Sequence, residues 1–102
     1  MSLSSQVKGD IVTITIVESF DVSLYEQFKE AYLTNLTETS RFIIDLDRAT
    51  YMDSSALGML LLLREKTSGD KSRVKLVNVS QNVFSILKIA QFQQLFDIQL
   101  KA

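Results

Sequence analysis

Every residue from Ile11 to Val17 is β-branched, with Val12, Ile14 and Ile16 on one parity and Ile11, Thr13 and Thr15 on the other. That pattern predicts a strand buried largely on both faces. Val7 to Asp10 reads as the end of a shorter strand and a tight turn at Gly9-Asp10, so the two strands form a hairpin. From Ser23 to Leu36 the period changes. Leu24, Phe28, Ala31, Tyr32 and Asn35 recur at spacings of three and four, which predicts an amphipathic helix, and Ser23 with Glu26 matches a capping box at its start. Phe42 to Leu46 is a short apolar run of the kind that forms a central strand, and Asp47 to Asp53 reads as the connection after it. Ala56 to about Thr67 is rich in helix formers, with Gly69 placed to end the helix. Val74–Val79 predicts another strand, Ser80 caps a helix running through Ala90, and Leu95–Leu100 predicts the last strand.

The order β-β-α-β-α-β-α-β implies an α/β fold: a small mixed, mainly parallel sheet with an N-terminal antiparallel hairpin and three crossover helices. Leu60, Leu61, Leu63, Phe84, Leu87, Phe42 and Ile44 are the expected core. The chain contains no proline, and its three glycines sit singly. Nothing resembles a linker or a repeat, so residues 1–102 are read as one domain, a size that matches a single core.

Composition narrows the chemistry. With no cysteine and no histidine, the chain has neither thiolate chemistry nor Cys/His zinc sites, and it lacks the proton carrier of a Ser-His-Asp triad. Eleven basic and twelve acidic residues leave a formal charge of -1, which advertises no attraction to nucleic acid or anionic membranes. Lys71, Arg73 and Lys75 form the one near-cluster of cations and read as the solvated side of a strand. Asp45, Asp47 and Asp53 are the candidates for a magnesium site, although loop aspartates more often make turns and caps. Gly58 and Gly69 are too isolated to form a phosphate-cradling loop. The first residues carry no basic-then-apolar leader, and the longest apolar run, Met59–Leu63, is far below the about 20 residues that a membrane span needs. The expectation is a cytoplasmic protein, without cofactor or membrane insertion, and not an enzyme.

The informative stretch opens at Tyr51 and continues as the segment Met52-Asp53-Ser54-Ser55-Ala56-Leu57-Gly58, where the chain enters a helix after a central strand. Unpaired N–H groups and the helix dipole make such a terminus favourable to anions. Aspartate and serine are also preferred caps, and capping alone accounts for either residue. Gly58 is harder to explain, because glycine inside a helix costs about 0.8–1.0 kcal/mol relative to alanine. A close approach of a partner, or a tight contact between helix and sheet, would offset that cost.

Together with Phe42-Ile43-Ile44-Asp45-Leu46 and the Phe20-Asp21 pair, this segment resembles the STAS-domain proteins, the anti-sigma factor antagonists. The resemblance spans the chain. It implies a bacterial regulator of transcription whose Ser54 is phosphorylated by a partner serine kinase, often the anti-sigma factor itself, and restored by a serine phosphatase. The unphosphorylated form binds its partner and the phosphorylated form releases it. The implied partner surface comprises Asp21, Asp53, Ser55, Ala56, Leu57 and Gly58, on a monomer or weak dimer. Two positions depart from the family pattern: Ala56 and Glu18 stand where glycine is common. The alternative is a non-switching cytoplasmic STAS subunit of a transporter or larger complex, because fold alone does not separate the two.

Overall fold

In the computed structural model, which describes residues 2–102, five strands hydrogen-bond side by side in the order in which they occur in the chain. Strands β1 (Leu3–Lys8) and β2 (Ile11–Phe20) form the antiparallel hairpin, closed at Gly9, whose φ of +62° suits a residue without a Cβ. Strands β3 (Arg41–Met52), β4 (Val74–Val79) and β5 (Asp97–Leu100) each run parallel to the preceding strand. The parallel steps are made by helices α1 (Tyr25–Leu33), α2 (Ser54–Lys66) and α3 (Gln81–Ile89). Each crossover advances one strand in the same direction, and crossovers of one hand then put all three helices on one face of the sheet.

Burial follows from this layout. Val12, Ile14 and Ile16 of β2, Phe42, Ile44 and Leu46 of β3, and Val74 and Leu76 of β4 meet Phe28, Met59, Leu60, Leu63 and Leu87 in one core. Thr13, Thr15, Val17, Ile43 and Val77 point the other way and are only half-buried. The expectation that β2 is buried on both faces is therefore corrected, because no helix covers the second face. Leu61 is also corrected: it is 41% exposed, since Ala56, Met59, Leu60 and Leu63 hold the inward stripe of α2 and leave Leu61 outside it. Phe84 is partly buried at the margin of the core.

Several boundaries move for identifiable reasons. β2 and β3 run past the predicted ends, and Asp47–Met52 is strand rather than connection, paired with Val17–Phe20 across two register shifts. β4 stops pairing with β3 at Asp45, so this extension stands beyond the rest of the sheet as a two-stranded arm. The first helix begins at Tyr25 after a 3-10 turn at Val22–Leu24, and the Ser23–Glu26 capping box does not form because Asp21 caps the turn instead. A 3-10 turn at Phe92–Gln94 shortens the last strand to Asp97–Leu100. Lys71 and Arg73 lie in another 3-10 turn, not on a strand. Arg73 is no free cation there: Nε donates to the Ser40 carbonyl and Nη2 to the Thr37 carbonyl, each at 2.8 Å, latching the connection before β3. Among the described residues no helix is long and apolar enough to cross a membrane.

Candidate functional site

β2 and β3 are parallel, so the chain leaves both at the same edge of the sheet. Phe20 is in register with Met52, and the Asp53 N–H reaches the Phe20 carbonyl at 3.4 Å. Phe20 and Met52 are both buried and fix the last turn of backbone before each loop. The next residues, Asp21 and Asp53, consequently emerge side by side.

Asp53 is the cap of α2. Its Oδ1 accepts the N–H of Ser55 at 3.0 Å, the N–H of Ala56 at 3.2 Å and the hydroxyl of Ser55 at 2.5 Å. The Ser55 hydroxyl, the largest influence, holds the Asp53 carboxyl below its ordinary value; burial, the next largest, opposes it, and the N–H groups of Ala56 and Ser55 add to the lowering. Asp21 repeats the arrangement: Oδ1 accepts the Ser23 N–H at 3.0 Å and the Ser23 hydroxyl at 2.6 Å.

These bonds separate the two adjacent serines. Ser55 spends its hydroxyl on Asp53. Ser54, the first residue of α2, is exposed, and among the described residues its hydroxyl enters no hydrogen bond. Capping is thus the work of Asp53, and Ser54 is not needed for it.

The remaining predicted surface residues divide. The expectation that Ala56, one of the departures from the family pattern, lies on the exposed surface is corrected: it is fully buried within the core cluster, so its methyl group is not on that surface. Leu57 is partly buried against the core, and Gly58 is exposed. A Cβ placed on Gly58 would meet nothing within 4 Å, so no contact between helix and sheet accounts for this glycine. Glu18, the other departure, has a φ of 68°, the left-handed region that favours glycine, and sits at the register shift of β2.

Sequence reasoning missed one neighbour of the site, Val22, and gave no role to another, Tyr51, which opens the stretch it singled out. Val22, 69% exposed, stands between Asp21 and Ser23 as Ser54 stands between Asp53 and Ser55, and Tyr51, 53% exposed, precedes the α2 cap by two residues. The repeated Asp-x-Ser spacing would have pointed to Val22. The candidate magnesium ligands do not converge: Asp45 accepts the Asn78 side-chain amide at 3.0 Å, Asp47 pairs with Lys101 at 3.2 Å, and Asp53 is occupied as a cap.

This fold is shared with known proteins. The chain is 44% identical over 90 residues to a STAS-domain containing protein of Pseudomonas aeruginosa (strain UCBPP-PA14), covering 88% of this chain and 89% of that one. Among solved structures it resembles the unphosphorylated anti-sigma factor antagonist SpoIIAA, with a TM-score of 0.70, 22% identity and coverage of 98% of this chain and 88% of that one. The phosphorylated form of Bacillus SpoIIAA superposes with a TM-score of 0.65 at 18% identity, covering 94% and 89% of the two chains. The murine anion transporter Slc26a9 contains a similar fold, with a TM-score of 0.73 at 16% identity over 95% of this chain but 17% of that one. The STAS domain model matches residues 2–102, and the chain belongs to the STAS domain family.

Proposed function

We propose that this chain is a phosphorylation-switched binding module of the anti-sigma factor antagonist type, with Ser54 as the acceptor. The observation that carries this reading is the contrast between two adjacent serines, one bound to the cap and one exposed and unengaged. A SpoIIAA structure in a phosphorylated form is among the folds this chain matches, which supports the same reading. A partner kinase, acting also as the anti-sigma factor, docks on Ser54, Leu57, Gly58 and the loop carrying Asp21 and Val22. A phosphatase reverses the modification.

The switch works through charge. A phosphoserine adds about -1.5 to -2 charges at neutral pH. Placed beside Asp53 and the adjoining Asp21 loop, it adds to two carboxylates already there and makes strongly anionic a surface that otherwise offers a neutral hydroxyl and apolar groups between them. A partner fitted to the first form meets repulsion and unpaired polar groups in the second, and every ~1.4 kcal/mol so lost weakens binding tenfold. The start of a helix tolerates the added anion, so the domain itself survives.

The same fold occurs within a transporter, and a non-switching role in a larger assembly needs no hydroxyl at Ser54 once Asp53 caps the helix. Ser54 therefore decides between the two. Protein isolated from its native cells should carry phosphate on Ser54 and co-purify with a serine kinase. Ser54→Ala should hold that kinase constitutively and Ser54→Asp should lose it, both folding normally by circular dichroism. Equal retention of the partner by both variants would exclude the switch.

A further inference from the structure

The face of the sheet opposite the helices is unusual for parallel strands. Three of the four strand pairings are parallel, and parallel sheets are normally covered on both faces. Here the second face presents Ile11, Thr13, Thr15, Val17, Ile43 and Val77, all β-branched and none buried. A depression of about 120 Å³, lined in part by Ile11, Arg41, Ile43 and Lys75, lies among them.

The charges on β3 give this face a direction. Arg41, Ile43 and Asp45 alternate along the strand and share the open face. Arg41 is exposed and makes no ion pair among the described residues, whose two pairs are Lys75–Asp97 and Lys101–Asp47. Asp70 lies beyond ion-pair distance of Arg41. Asp45 receives the Asp47 N–H and the Asn78 amide on Oδ1 alone, which leaves Oδ2 without a hydrogen bond among the described residues. An unpaired cation and an unpaired carboxylate oxygen thus flank Ile43 at equal spacing.

We propose that this face pairs two copies of the chain, stacked sheet on sheet about a two-fold axis that crosses the strands at Thr13 and Ile43. Such an axis reverses strand direction, so Arg41 of each copy lies over Asp45 of the other while Ile43 packs near its own counterpart. The contact is isologous and closes at two subunits. Sheets packed face to face lie about 10 Å apart, a gap that an arginine bridges to a facing carboxylate. Lys75, in the same cross-strand row as Ile43, meets its own counterpart across the axis, and Asp97 at 3.8 Å sets a negative charge beside it that offsets this like-charge contact. Ser54 lies at the edge of the sheet and not on this face, so the pairing stands or falls independently of the phosphorylation reading.

Sedimentation velocity of the whole chain, from low to high micromolar concentration, tests this. The wild type should show a concentration-dependent dimer, and Ile43→Glu should be monomeric with an unchanged circular dichroism spectrum. Arg41→Glu alone and Asp45→Arg alone should each weaken dimerisation by about tenfold or more, because like charges then oppose each other twice. An equimolar mixture of these two variants should dimerise again, since each reversed charge meets its opposite across the axis. A wild type that stays monomeric overturns the proposal, as does a dimer indifferent to Ile43→Glu or a mixture that fails to recover. Should Asp45→Arg not fold for want of its bond to Asn78, the wild-type profile and Ile43→Glu still decide.

Discussion

At the scale of single residues, one local device recurs. Asp21, Asp53 and Asp70 each accept the N–H and the hydroxyl of the serine two positions on, with hydroxyl distances of 2.6, 2.5 and 2.7 Å. Aspartate and serine compete well for nearby backbone in this way, and the sequence shows it as Asp-x-Ser. Capping preference alone does not show which of Ser54 and Ser55 is free; the Asp-x-Ser spacing and the resemblance are what favour Ser54. Both follow an aspartate at a helix start, and the rotation of the first turn separates them. The Asp53 cap should contribute about 1 kcal/mol, the typical loss when such a cap is replaced by alanine. Its folded-state carboxyl lies below the ordinary value, so this stability is present above the unfolded value near 3.8 and is lost as pH falls through the lowered one. Urea titrations should find Asp53→Ala destabilised at neutral pH, with the gap from wild type closing below about pH 3.8. A gap that persists undiminished in acid would mean that the carboxylate form is not what caps the helix. Gly58 offers a sharper contrast. With open space around it, Gly58→Ala should stabilise α2 by about 0.8–1.0 kcal/mol. If a partner lies against that turn, the same substitution should weaken binding, so the two effects should have opposite signs.

At the scale of elements, hydrophobic period, helix propensity and turn residues located the five strands and three α-helices but neither their ends nor the 3-10 turns between them. The helix stripe Ala56, Met59, Leu60 and Leu63 lies within an almost continuous apolar run, and nothing in Leu60-Leu61-Leu62-Leu63 marks Leu61 as outward. Asp47–Met52 was unreadable for the opposite reason. Its buried members, Ala49 and Met52, are three apart, because the register shifts opposite β2 break the alternation by which strands are recognised. Those irregularities include Glu18, held at a φ of 68°. A left-handed backbone costs a residue with a Cβ roughly 1–2 kcal/mol, and glycine avoids most of that penalty. Glu18→Gly should therefore raise the stability of the arm by about 1 kcal/mol, seen as a thermal midpoint higher by roughly 4–8 °C for a domain of this size. A lower midpoint would show that the Glu18 side chain contributes more than its backbone costs.

At the scale of the molecule, the alternation of strands and helices was enough to give a mainly parallel sheet. Placing every helix on one face needed the strand order, which the sequence does not state. That order separates the core from the candidate site. The apolar cluster lies between the sheet and its three helices, whereas Ser54 stands outside it, at the end of a two-stranded arm. A phosphoryl group on Ser54 meets two local effects of opposite sign: the dipole of α2 favours it by about 0.3–1 kcal/mol, and the charge of Asp53 opposes it by a comparable amount. Neither reaches the core. Phosphorylated protein should accordingly melt within about 5 °C of the unmodified form, as a net change of under ~1 kcal/mol requires. Amide chemical-shift changes should be confined to Asp21–Leu24 and Tyr51–Gly58, leaving the buried centres of β2, β3 and β4 unmoved. Shifts spreading through Ile14, Ile44 and Leu76 would instead mean that modification rearranges the fold, and partner release would then follow from altered shape rather than from charge on the docking edge.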